Sequence, residues 1–171
     1  IPMPTGRNVS AYILDSGVDI RHHAFDTVNI GESRSFVTDD PDDVADAFVD
    51  LYNHGTHVAS IVGAVAQGIT VHSVKVLNNN GNASWSIVIR GLSWVIKKQL
   101  EKDISERRTC VASMSLAGLP SVTIERAIQN AVNAGISIVT SAGNFFQSDA
   151  CKYSPPLLPE TIAVGSLDKY D

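Results

Sequence analysis

Four residues of this chain have types and settings that could act on a carbonyl group: Asp15, His54, His57 and Asn144. Asp15 closes the apolar stretch 9–14 (VSAYIL), which puts a carboxylate at the end of a buried strand. Its plainer use there is as a turn or helix cap. His54 and His57 stand three apart in Asn53-His54-Gly55-Thr56-His57, so on a helix they share a face. That pairing makes a metal site with Asp15 one reading. Zinc hydrolases of the HExxH type space their His at i and i+4 around a Glu, and here Gly55 and Thr56 intervene. Asn144 ends a strand-like run in SAGN, where it reads either as a turn residue or as an amide donor. Together they describe a carboxylate that orients an imidazole beside an amide able to stabilise an oxyanion.

The elements that must position these groups alternate along the chain. Strands are expected at 9–14, 71–77, 110–116, 136–139 and 161–164, and helices at 54–66, 84–102 and 121–134. The last helix has Ser121 as its start signal and Gly135 as its stop. Such alternation predicts a parallel sheet covered on both faces, with chemistry beyond the carboxyl ends of its strands. At 171 residues and 44% hydrophobic the chain is one domain with a sizeable core, not a disordered one. No apolar run is long enough to cross a membrane and no leader sequence opens the chain. A net charge of −5 is poor footing for nucleic acid. Six Asp, at 39, 40, 42, 43, 46 and 50, outweigh that whole excess. Blocks of like charge are as a rule solvated, so the stretch is expected to be a surface loop. Cys110 and Cys151 are too few for a disulfide framework, and Cys110, inside a strand, is expected to be a buried thiol.

The segments YILDSGVD (12–19), HGTHVAS (54–60), VKVLNNNGNAS (74–84), SMSLAG (113–118), SAGN (141–144) and DACKYSP (149–155) occur in the order found in subtilisin-like serine proteases. The chain therefore resembles the subtilase (peptidase S8) family, closest to its proteinase K-like branch. The resemblance implies a three-layer α/β/α fold with a mainly parallel sheet, and an endopeptidase acting through an Asp-His-Ser triad and an acyl-enzyme. By that resemblance Asp15 is the triad carboxylate, His54 the general base and acid, and Asn144 the oxyanion donor, while His57 is structural. Gly81, Asn82 and Ala83 resemble one edge of the substrate cleft, and Ser115, Leu116 and Ala117 the other. Ser141, Ala142 and Gly143 resemble the pocket for the residue before the scissile bond. The partners implied are a polypeptide substrate and an inhibitory propeptide, with no nucleic acid or membrane, and the location implied is extracellular. No cofactor is required; a structural calcium in the full-length protein is implied, with the carbonyls of Pro159 and Thr161 aligned to part of its site.

The sequence also departs from the family. Ala83 and Ala117 stand where Gly is usual, and Asn53 stands where Gly is commoner before the His. The Gly-Thr-Ser-Met-Ala block that carries the nucleophile does not occur in residues 1–171. The expectation is a partial catalytic domain, truncated on its C-terminal side and inactive alone. A non-catalytic binding protein of the same fold and a metal-dependent hydrolase using Asp15, His54 and His57 are the rival readings.

Overall fold

The computed structural model describes residues 5–37, 46–102, 109–145 and 148–168. Its strands β1 (Val9–Asp15), β2 (Asn29–Ile30), β3 (Arg34–Ser35), β4 (Thr70–Lys75), β5 (Thr109–Met114), β6 (Ile136–Ser141) and β7 (Ile162–Val164) form one sheet. The order is β2-β4-β1-β5-β6-β7, with β3 also on β4, and every pairing is parallel. The helices are α1 (His54–Val65), α2 (Trp85–Leu100) and α3 (Val122–Asn133). The expected strands and helices are all present, with ends displaced by a residue or two. The two-residue strands β2 and β3 were not expected, being too short to show a period.

The alternation of β1 sorts its side chains between two cores. Tyr12 and Leu14 join Leu92 and Val95 of α2 and Ile124 and Ile128 of α3. Ala11 and Ile13 face the other way, against Ala59 of α1 with Val18, Phe25 and Val71. A buried Ile or Leu here contributes about 1.5–3 kcal/mol through its removal from water. Asp15 follows Ala11 and Ile13 in step, so the same period carries it to the α1 side. The α3 boundaries differ in detail from expectation. Ser121 makes no side-chain cap; its N–H donates to Glu125 Oε1 at 3.2 Å and to Ser154 Oγ at 3.2 Å. The C-cap is Ala134, and Gly135 follows it with φ +84°, the left-handed geometry glycine adopts without strain.

Cover on the α1 side is uneven. α1 lies over β1, whereas Ile61 and Val65 on α1 and Ile162 and Val164 on β7 are each at least half exposed. Register places Val139 beside Ile162 and Ser141 beside Val164, so this is one continuous face of β6 and β7. Residues 1–171 alone are therefore expected to bind an apolar-surface dye. Ile61→Lys with Val65→Lys should weaken that signal while the far-ultraviolet circular dichroism stays the same. Wild-type protein with no dye response would show the face to be covered.

Candidate active site

Asp15 is 1% exposed and accepts from the Ser16 N–H at 2.7 Å at Oδ1, with the Ser16 hydroxyl oxygen 3.2 Å from the same atom. A buried carboxylate is tolerable only with such donors. The imidazole completes the set: His54 Nδ1 is 2.8 Å from Oδ1 and 3.0 Å from Oδ2. An ionised carboxylate only accepts, so Nδ1 carries the proton and Nε2 keeps its lone pair. The bond to Asp15 raises the His54 pKa above its ordinary 6.5; burial opposes this, and the charges of Asp15 and Asp50 reinforce it.

Close backbone approach makes the contact possible. A Cβ on Gly55 would run into the Gly17 carbonyl oxygen and lie 3.1 Å from Asp15 Cβ. Gly55 thus lets the first turn of α1 press against the end of β1, with His54 at its head. The preceding Asn53 has φ +65°, a left-handed conformation. That is why glycine suits this position, and Asn is among the few other residues that enter it readily.

His54 opens onto a cleft of about 640 Å³. Gly81, Asn82, Ala83, Ser115, Leu116, Ala117 and Asn144 all line it. Trp85 also lines the cleft, its indole N–H donating to the Leu119 carbonyl at 3.2 Å. Ser141, Ala142 and Gly143 line a second cavity of about 490 Å³ that meets the cleft at Ser115 and Asn144. Its far wall is Ile61 and Val164, on the open side of the sheet. Among the described residues no serine hydroxyl is hydrogen-bonded to His54. Cys110 is buried and its thiol is pushed up to about 11 by that burial, so it is no nucleophile.

His57 is exposed on α1, and among the described residues no group of three or more His, Cys, Asp or Glu side chains could hold a metal ion. The metal-dependent reading has no site there. Pro159 and Thr161 sit in the turn before β7, where the Thr161 hydroxyl donates to the Leu158 carbonyl at 2.9 Å.

The acidic stretch needs correcting at one position. Asp39, Asp40, Asp42 and Asp43 lie outside the described residues, and Asp46 is exposed as expected. Asp50 is not solvated: it is 6% exposed and takes four hydrogen bonds at the start of α1. Composition hid it, because it is the last of a run of Asp residues. Its position four before His54 was the only signal. Lys75 was also missed. It pairs with Asp15 in the sheet register, is wholly buried, and donates to the Ser16 carbonyl at 2.6 Å and the Val49 carbonyl at 3.1 Å.

At the end of β1 a buried carboxylate is thus bonded to an imidazole at the head of α1, beside a cleft of about 640 Å³. A profile of the subtilase family matches residues 6–171, and the chain belongs to that family. It is 39% identical over 171 residues to the "Extracellular serine proteinase" of Thermus sp. (strain Rt41A), covering 98% of this chain and 38% of the relative. It is 37% identical over 170 residues to "Alkaline serine exoprotease A" of Vibrio alginolyticus, covering 97% and 29%. A solved structure, "Crystal structure of a cold adapted subtilisin-like serine proteinase", superposes with a TM-score of 0.81 at 34% identity, covering 96% of this chain and 57% of that one. The chain thus spans well under half the length of these two sequence relatives.

Two outcomes follow from the geometry. Gly55→Ala should cost about 1–3 kcal/mol through overpacking, since the methyl meets backbone rather than a yielding side chain. Chemical denaturation measures this, and a variant as stable as wild type would show that α1 can move away freely. The His54 ring protons, followed by NMR, should titrate above 6.5, and at lower pH in Asp15→Asn. The sign is that of a raised basic group. The pair's contribution to stability is complete below 6.5 and fades as pH rises through the folded value. The ability of Nε2 to accept a proton runs the opposite way and appears only above that value.

Proposed function

We propose that the whole protein is a serine endopeptidase, to which this chain supplies the carboxylate, the base and the oxyanion donor. The observation that carries the reading is the 2.8 Å bond from His54 Nδ1 to buried Asp15, at the mouth of a cleft shared with Asn144. Relatives named as serine proteinases support it.

In this reading a serine hydroxyl from elsewhere in the protein attacks the scissile carbonyl and passes its proton to His54 Nε2. Asp15 holds the ring in the required tautomer and stabilises the imidazolium. The carbonyl oxygen takes up the negative charge, and the Asn144 amide donates to it. Collapse breaks the C–N bond, and the amine leaves with the proton from Nε2. Water then cleaves the acyl-enzyme by the same path, restoring the serine. The substrate is an extended polypeptide clamped between residues 81–83 and 115–117, the edges on which an inhibitory propeptide would also lie. Secretion is inferred from the extracellular proteinase among the relatives.

The test is labelling of the whole protein by a fluorophosphonate. Wild type should react, and His54→Ala should not. Asn144→Ala should lower kcat by about 10²–10³-fold with KM little changed, because its bond strengthens only as charge develops. Folded wild-type protein that neither labels nor cleaves a denatured protein substrate would make it a binding protein of the same fold.

A further inference from the structure

The start of α1 is capped in an indirect way. Asn53, at the N-cap, makes no side-chain capping bond and is left-handed. The open donors of the first turn are met from outside the helix. The Thr56 N–H donates to Asp50 Oδ2 at 2.8 Å, and the Gly55 N–H donates to Ser16 Oγ at 3.0 Å. Asp50 also draws in the Thr56 hydroxyl at 2.6 Å through Oδ2, and the Asn53 N–H at 2.8 Å through Oδ1. Its fourth donor is the Ser16 hydroxyl, 2.8 Å from Oδ1. Ser16 adjoins Asp15, so a single carboxylate ties the end of β1 to the first turn of α1.

We propose that Asp50 is a positioning residue for the reaction, holding the left-handed Asn53 and the first turn of α1 so that His54 stays seated against Asp15. The role in turnover rests on the serine-protease reading above; the seating of His54 does not. The chemistry of the position admits only a carboxylate. Both oxygens accept two donors each, and four donors converge on a group that has no hydrogen of its own. In Asp50→Asn one side of the amide is an NH2 group. Whichever way it turns, that NH2 meets either the two Thr56 donors or the Asn53 and Ser16 donors.

The charges around His54 fit this role. Asp15 faces it from β1 and Asp50 from the preceding loop, while the Tyr52 ring lies 6.2 Å away, centroid to centroid. His57 is three residues on along α1, and Lys75 on β4 sits behind Ser16 with its ammonium on the Ser16 and Val49 carbonyls. After Asp15, Asp50 is the group whose charge adds to the raised basicity of His54. Removing that charge therefore changes a property of His54 itself, which a purely structural prop would leave alone.

The experiment follows the His54 ring protons against pH in the whole wild-type protein and in Asp50→Asn, alongside kcat and KM over the same range. In the folded variant His54 should titrate at lower pH than in wild type. The acid limb of kcat should move with it, and kcat at its plateau should fall about 10²-fold with KM little changed, as for a misplaced catalytic group. A folded Asp50→Asn whose His54 titrates as in wild type overturns the proposal whatever kcat does. Should that variant not fold, Thr56→Val probes the same hold with the charge kept. A fall in kcat that Thr56→Ser restores supports the proposal, and an unchanged kcat overturns it. Wild-type protein without peptidase activity would overturn the protease reading alone, and the titration would still decide the role of Asp50.

Discussion

The contact between Asp15 and His54 spans 39 positions of sequence, and much of the structure serves it. A carboxylate as buried as Asp15 would be costly without donors, and an imidazole at a helix start would be free to turn without an anchor. Each solves the other's problem. The contact requires β1 to end with its carboxylate on the α1 side, and α1 to begin within van der Waals reach of that end. The first condition comes from the two-residue period of a strand. The second comes from Gly55, where the Gly17 carbonyl occupies the space a side chain would need.

The groups behind this pair are polar yet buried. Ser16, Asp50, Ser73 and Lys75 are all buried close behind it. Their donors and acceptors are directed at the backbone of the two loops that meet there: Lys75 at the Ser16 and Val49 carbonyls, and the Ser73 hydroxyl at the Ala47 carbonyl at 2.7 Å. Such bonds pin loops that no apolar side chain could hold, because the exposed atoms of a loop are its peptide groups. This edge of the sheet is thus held by polar bonds and belongs to neither apolar core.

The two faces of the sheet are treated differently. α2 and α3 pack together over one face and enclose the larger core. On the other, α1 covers β1, and the β6–β7 half stays open beside Ala142, Asn144 and Val164. The cleft and this open half meet at Ser115 and Asn144. Asn144 therefore stands at a junction between the cleft beside His54 and an exposed apolar wall.

The alternation of strands and helices was legible because each long element carries a strong period, and the candidate pair was legible because Asp15 and His54 stand at element boundaries within family segments. The two-residue strands β2 and β3 show no period, and only their pairing with β4 makes them strands. Asn53 read as an oddity until its φ of +65° gave the reason. Asp50 and Lys75 were misjudged or missed because charge in a sequence predicts solvent, and both are buried. Local sequence determined which segments are apolar and which residues could do chemistry, since these follow from side-chain type and spacing. Burial of the two charges was decided by tertiary structure alone. It depends on donors and acceptors from Ser16, Val49, Asn53 and Thr56, which come together only when β1, β4 and the start of α1 meet.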